Sequence, residues 1–259
     1  MTNYQGYLLD LDGTTYFGKD RIPTAEAFIC DLINQEIPLQ FVTNNATRSP
    51  QEIATRLNQD YGIPAKEDMI YTSTIAMIDY LKLHDPQASL YVVGEAALKD
   101  QLVAAGYRLT QGQDADIVVQ ALDRQANYQS LAGAVSNILA GAKFYVTNQD
   151  TLIPTEAGMF PSSGALTAFI EYASGVSPMV IGKPNPLIID GAVQRLGLEN
   201  HQVLLIGDNY QTDIQAGIQA GVDTLMVLTG VSTKEDLAKF DAQPTYLRND
   251  LSEWELSHD

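Results

Sequence analysis

Tyr7-Leu8-Leu9 followed by Asp10-Leu11-Asp12-Gly13-Thr14 is the stretch on which the reading of the fold turns. A short apolar run closed by two carboxylates predicts a buried strand whose carboxyl end carries costly charge, unless a cation or a reacting group compensates it. Side chains alternate along an extended strand, so Asp10 and Asp12 share one side, and Gly13 permits a sharp turn beside them. A D-x-D-G pattern also occurs in solvated turns and calcium loops. The rest of the chain must decide between these readings.

Outward from that strand, helix and strand patterns alternate almost throughout, which predicts a parallel sheet covered by helices. An apolar-periodic helix over 24–35 leads to the strand Leu39-Gln40-Phe41-Val42, which ends at Thr43-Asn44-Asn45. Ser49-Pro50-Gln51-Glu52 then reads as a helix start, with a Ser cap, Pro at the first position and Glu closing a capping box. The middle of the chain has strands at 90–94, 117–119 and 144–146, with helices over 96–105 and 128–139. After it come a strand at 179–181, a helix over 186–196, a strand at 203–206, a helix over 213–220 and a strand at 224–227. The expected architecture is a doubly wound, Rossmann-like α/β core formed by 1–83 and 178–259, interrupted by a smaller α/β domain over 84–177.

The chain has 259 residues, with 15 Lys and Arg against 32 Asp and Glu and a net charge of −17. That balance disfavours nucleic acid and anionic membrane as partners, and an anionic substrate would need positive charge supplied locally. The single Cys30 excludes an internal disulfide and reads as a small buried thiol. His84, His201 and His258 lack metal-ligand spacing and read as surface residues. No apolar run approaches the roughly 18 residues of a membrane span, and no leader pattern is present, so a soluble, cytoplasmic protein is expected.

Three further strand ends carry chemistry. Gly207-Asp208-Asn209-Tyr210-Gln211-Thr212-Asp213 follows the strand at 203–206 as the Asp10 segment follows 7–9. In an open parallel sheet functional groups gather at the carboxyl ends of strands, so Asp208 can meet Asp10 and Asp12. Carboxylates so gathered repel one another, and Mg²⁺ is the hard, oxygen-preferring cation that suits them. Asp208 could instead cap a helix, and Asp213 could be a metal-site residue, a supporting one, or a first-turn carboxylate favoured by the helix dipole. Gly182-Lys183-Pro184-Asn185-Pro186 brings Lys183 to a strand end, where it would offset the acids and attract phosphate; an exposed loop lysine is the alternative. Thr43, Asn44 and Asn45 offer hydroxyl and amide donors for phosphoryl oxygens, or a helix cap.

Four strand ends carrying D-x-D-G-T, T-N-N, G-K-P and G-D-N-x-x-T-D, in that order, resemble the haloacid dehalogenase-like hydrolase superfamily, and within it the NagD-like phosphatases. The resemblance spans essentially the whole chain, and the middle domain falls where that family carries its α/β cap. Asn148-Gln149-Asp150 with Pro154, Gly158, Pro161 and Gly164 is similar to the family's segment returning from cap to core. Two departures lie in the cap: Ser162 where members commonly have glycine, and Val119-Gln120-Ala121-Leu122-Asp123 where they have a Val-Val-Gly-x-Asp run. By the resemblance, Asp10 is the nucleophile that becomes an aspartyl phosphate, and Asp12 is the general acid and base. Thr43 and Lys183 stabilise the phosphoryl charge with Asn44 and Asn45 nearby, and Mg²⁺ is held by Asp10, the backbone carbonyl of Asp12 and Asp208, with Asp213 beside them. Asp123, Asn148 and Asp150 are the cap residues expected near substrate.

The resemblance therefore implies a Mg²⁺-dependent phosphatase for a small phosphorylated metabolite, such as a sugar phosphate, a nucleotide monophosphate or 4-nitrophenyl phosphate. It also implies a homodimer joined through the cap. A non-catalytic regulator that binds phosphate and Mg²⁺ on the same fold is the alternative. Asp12 argues against a dehalogenase, and the absence of G-x-G-x-x-G after any strand argues against a dinucleotide oxidoreductase.

Overall fold

The computed structural model describes residues 4–155 and 157–256, so the expected surface His258 lies outside the described residues. The chain divides into two compact units, one comprising 1–43, 50–71 and 183–259, the other 44–49 and 72–182.

The first unit is built on a six-stranded sheet in the order Tyr246–Arg248, Asp223–Val227, Val203–Gly207, Gly6–Leu9, Leu39–Thr43, Ile70–Thr72. Gly6–Leu9 pairs in parallel with both Val203–Gly207 and Leu39–Thr43, with Leu9 opposite Ile206 on one side and Phe41 on the other. In chain order the strands of this sheet run three, two, one, four, five, six when read from the Ile70–Thr72 edge, which is the dinucleotide-fold order. Alternation along the strands divides the core. Tyr7, Leu9, Phe41, Leu204, Ile206, Leu225 and Val227 share one apolar cluster with Phe28, Ile29 and Leu32 of the helix Pro23–Asn34 and with Ile53, Leu57 and Tyr61 of the helix Pro50–Tyr61. On the opposite face the helix Gln215–Ala220 lies close: a Cβ on its Gly217 would meet Thr224 and Leu205. Both faces are covered, as doubly wound sheets require.

The second unit holds a five-stranded sheet, in the order Met179–Val180, Lys143–Val146, Ile117–Gln120, Ser89–Val93, Arg108–Leu109, with parallel pairing throughout. Its helix Tyr128–Leu139 starts at an Asn127–Ser130 capping box and buries Leu131, Ala134 and Ile138. An antiparallel hairpin, Leu152–Thr155 with Gly158–Pro161, precedes the helix Ser163–Ser174.

Several sequence expectations change here. The strand expected at 179–181 in the core sheet belongs to the other sheet, where Met179 pairs with Tyr145 and Val180 with Val146. The compact units accordingly break between 71 and 72 and between 182 and 183 rather than near 84 and 177, and the helix Ser73–His84 clusters with the second unit. Two short strands, Ile70–Thr72 and Tyr246–Arg248, complete the core sheet and carry too few apolar residues to stand out in the sequence. Cys30 is half-buried rather than buried, while His84 and His201 are exposed as expected. Among the described residues no helix is long and apolar enough to cross a membrane.

Candidate active site

Between Gly6–Leu9 and Val203–Gly207 the strand order reverses, so successive connections leave the sheet in opposite directions and open a crevice at the strands' carboxyl ends. Asp10 enters that crevice one residue past its strand, its amide still donating to Ile206 O at 2.9 Å. Asp208 enters one residue past the neighbouring strand.

Asp10, Asp208 and Asp213 are all buried, and each offers a carboxylate oxygen within 4.8 Å of the others. Lys183 Nζ lies 2.5 Å from Asp10 Oδ1 and 2.6 Å from Asp213 Oδ1, and donates to Val42 O at 3.0 Å. The lysine thus ties the end of Leu39–Thr43 to the acids of the two central strands. Asp208 Oδ1 accepts from the Thr14 hydroxyl at 3.1 Å, and Oδ2 from Val231 N–H at 2.7 Å. Asp213 lies in a wide turn, Tyr210–Ile214, ahead of the helix Gln215–Ala220 rather than inside that helix as expected. Its Oδ2 accepts from Asn209 N–H at 3.1 Å while its other oxygen faces Lys183. Capping and site charge, separate alternatives in the sequence, are both performed by this one side chain.

Glycine makes the crowding possible. A Cβ at Gly230 would stand 2.0 Å from Asp208 Oδ2, and one at Gly13 2.4 Å from the same atom. Gly13 also turns at φ +94°, a conformation that side chains resist.

The charges do not balance. Burial first, then repulsion from Asp213 and Asp208, pushes the Asp10 carboxyl well above its usual range, against the pull of Lys183. Burial and Asp213 push Asp208 up to about 7, opposed by Val231 N–H, Thr14 and Lys183. Burial alone would discharge Lys183, but Asp10 and Asp213 outweigh it and hold its proton more firmly than in water. One ammonium cannot neutralise three buried carboxylates, and the raised proton affinity of Asp10 and Asp208 reflects the missing positive charge. A hard divalent cation fits this donor set of carboxylate oxygens. Asp10, Asp208 and Asp213 are the residues that could hold one.

The Asp12 carboxylate is not part of that cluster. Asp12 is exposed, and its Oδ1 accepts from Gly18 N–H at 3.3 Å. Desolvation of the carboxylate raises its proton affinity, against the Gly18 amide and the Arg56 charge. This corrects the expectation that alternation brings both carboxylates to one point: the strand ends at Leu9, before either residue, and the Asp12 side chain stands outside the ion pairs of Lys183, suited to proton transfer.

The other expected residues divide between the units. Thr43 is buried at the end of its core strand. Asn44, Asn148 and Asp150 meet within the second unit: Asn44 Nδ2 donates to Asp150 Oδ1 at 3.3 Å, and Asn148 Nδ2 donates to Asn44 O at 2.9 Å. Asn45 Oδ1 accepts from Thr47 N–H at 2.8 Å, and Asp123 Oδ1 from Gln125 N–H at 2.9 Å, so each stabilises its own turn. Sequence reasoning missed Thr229, Gly230 and Val231. Thr229 Oγ1 donates to Gly13 O at 2.6 Å, and the next two residues seat Asp208. They follow the strand Asp223–Val227, so the strand-end logic that found Asp208 also reaches them.

A family profile described as haloacid dehalogenase-like hydrolase matches residues 7–108, and a second profile of HAD-like hydrolases matches 180–254. An acid sugar phosphatase of Staphylococcus saprophyticus is 43% identical over 253 residues, covering 98% of this chain and 97% of that protein. The solved structure of a mutant of the thermostable p-nitrophenylphosphatase from Bacillus stearothermophilus is 43% identical, with a TM-score of 0.90, over 99% of this chain and 100% of that one. NagD from Escherichia coli K-12 is 31% identical, with a TM-score of 0.92, over 99% of this chain and 100% of that one. The dinucleotide-type sheet with its acid–lysine crevice and these relatives agree: the chain belongs to the haloacid dehalogenase-like hydrolases, within the NagD-like phosphatases. It is a phosphoric monoester hydrolase.

Proposed function

We propose that the chain is a Mg²⁺-dependent phosphatase of small phosphomonoesters, sugar phosphates and 4-nitrophenyl phosphate among them, acting through an aspartyl phosphate on Asp10. The observation that carries the proposal is the cluster of Asp10, Asp208 and Asp213 around Lys183 at the strand-order reversal. The substrate range rests on the relatives, which are acid sugar phosphatases and p-nitrophenylphosphatases.

The buried Asp10 carboxylate attacks phosphorus, and the bond to the ester oxygen breaks. Asp12, outside the ion-paired cluster, gives its proton to the leaving oxygen and ends as a carboxylate. It then takes a proton from the water that attacks the aspartyl phosphate, and inorganic phosphate leaves as the Asp10 carboxylate is restored. Lys183 meets the phosphoryl oxygens with positive charge, and Thr43 is assigned a hydroxyl donor there. Asp10, Asp208 and Asp213, with the Asp12 carbonyl, would hold the Mg²⁺. That ion would supply the charge which lets an anionic nucleophile approach an anionic ester. Asn44, Asn148 and Asp150 are assigned to substrate selection, supported by their mutual hydrogen bonds. A homodimer through the inserted unit belongs to the same proposal, supported by exposed Leu139, Phe169 and Tyr172 there.

Phosphate release from a panel of small phosphomonoesters, with and without Mg²⁺, tests the assignment in wild type and in Asp10→Asn. Mg²⁺-dependent turnover that the nearly isosteric, folded variant lacks is expected. Turnover indifferent to Mg²⁺, or retained by Asp10→Asn, refutes it.

A further inference from the structure

Asp12 is exposed, yet the structure does not leave it loose. Gly18, at φ +61°, turns a two-by-two antiparallel hairpin of Tyr16–Phe17 and Asp20–Arg21 and presents its N–H to Asp12 Oδ1. A hairpin this short has little stability of its own. What fixes it comes from the helix Pro50–Tyr61. Arg56 Nη2 donates to Gly18 O at 2.5 Å and to the Tyr61 hydroxyl at 2.8 Å, while that hydroxyl donates to the same Gly18 carbonyl at 3.0 Å. The Arg56 guanidinium also lies 4.5 Å from the Tyr16 ring centre and 5.5 Å from that of Tyr61, and the two rings stack 4.6 Å apart at 8°. Gly18 is therefore held on both its polar groups, by Asp12 on one and by Arg56 with Tyr61 on the other.

An arginine stacked on one ring and bonded along its fork has few alternative positions, and the carbonyl it grips inherits that rigidity. We propose that Arg56 is a positioning residue for Asp12, acting through the Gly18 peptide to hold the carboxyl group where it meets the leaving oxygen. This rests on the reading of Asp12 as the proton donor above. Arg56 itself touches neither the ester nor the acid cluster in this scheme; it acts on a residue that does.

Leaving-group chemistry separates positioning from general support of the fold. In the first step the bond from Asp10 to phosphorus forms and the ester bond breaks. An alkoxide needs the proton of Asp12 as it departs, whereas 4-nitrophenolate is stable without one. The ratio kcat/KM reports this step for both esters, even where hydrolysis of the aspartyl phosphate limits kcat. The experiment compares wild type, Arg56→Met and Arg56→Lys on 4-nitrophenyl phosphate and on the best sugar or alkyl phosphate of the panel. In Arg56→Met, kcat/KM for the alkyl ester should fall about tenfold or more beyond any fall for 4-nitrophenyl phosphate. Arg56→Lys, which can still donate to Gly18 O, should recover part of that gap. If Arg56→Met fails to fold, Tyr61→Phe removes one donor from the same carbonyl and carries the comparison. A parallel fall for both esters, or no fall for either, overturns the role of Arg56. Wild-type protein that turns over neither ester overturns instead the phosphatase reading beneath it.

Discussion

Asp208 offers a quantitative check on the charge argument, because its deficit is large and its neighbours are known. The residue is 1% exposed. Its carboxyl is pushed from an ordinary 3.8 up to about 7 by burial and by Asp213. Each pKa unit corresponds to about 1.4 kcal/mol, so the full shift sets a ceiling of about 4 kcal/mol. Asp208 shares its repulsion with Asp10 and Asp213, so about half of that ceiling, roughly 2 kcal/mol, is the expected effect of removing one charge. Because the folded-state value lies above the unfolded one, the folded protein retains a proton that the unfolded chain releases. The associated stability is complete below the unfolded value and is lost as pH rises through about 7. Asp208→Asn abolishes this dependence with small disturbance. Its Oδ1 can accept from Val231 N–H, and its amide can face the Thr14 hydroxyl, which rotates to accept. Only about 1.5 pKa units of the shift lie between about pH 5.5 and about 7, so urea unfolding in chelator at about pH 5.5 and about pH 8 should show wild type losing roughly 1 kcal/mol more than the variant across that interval. Titrating groups outside the cluster are common to both proteins and cancel, and the response of Asp10, which Asp208 pushes up, is the reason for taking half of the ceiling. Equal losses in the two would refute the claim that the crevice lacks a compensating cation.

Gly230→Ala places a methyl group 2.0 Å from Asp208 Oδ2. It should cost about 1–3 kcal/mol of stability and weaken Mg²⁺ binding, read by urea unfolding and calorimetric titration; unchanged affinity would show that Asp208 is not seated by that glycine. Lys183→Met leaves Asp10 and Asp213 buried without their ammonium. A loss of about 3–5 kcal/mol is expected in chelator, smaller at about pH 5, where Asp10, its pKa raised, takes up a proton; a loss independent of pH would argue against the ion pair as its cause.

How much of this was legible in the sequence depends on how local each signal is. Asp10 and Asp208 stand directly behind buried apolar strands, so strand-end logic located them, and a parallel sheet brings such ends together regardless of their distance in the chain. Lys183 was located by the same logic for a reason that proved wrong. Met179–Val180 joins the second sheet, and Lys183 meets Asp10 because the chain re-enters the first unit at that residue. A three-residue apolar run carries no information about which of two sheets will pair with it, so the domain boundary shifted with the strand. Asp12 illustrates a different limit. Period-two alternation put it beside Asp10, but alternation holds only within a strand, and this one ends at Leu9, before either aspartate. The Arg56 clamp was invisible for a third reason. Its geometry depends on a helix thirty-odd residues downstream meeting a glycine carbonyl, and neither an arginine in a helix nor a glycine in a turn departs from what any soluble domain contains. Strand-end acids are legible because burying them is costly; the residues that aim them cost nothing unusual, and only the folded chain shows where they act.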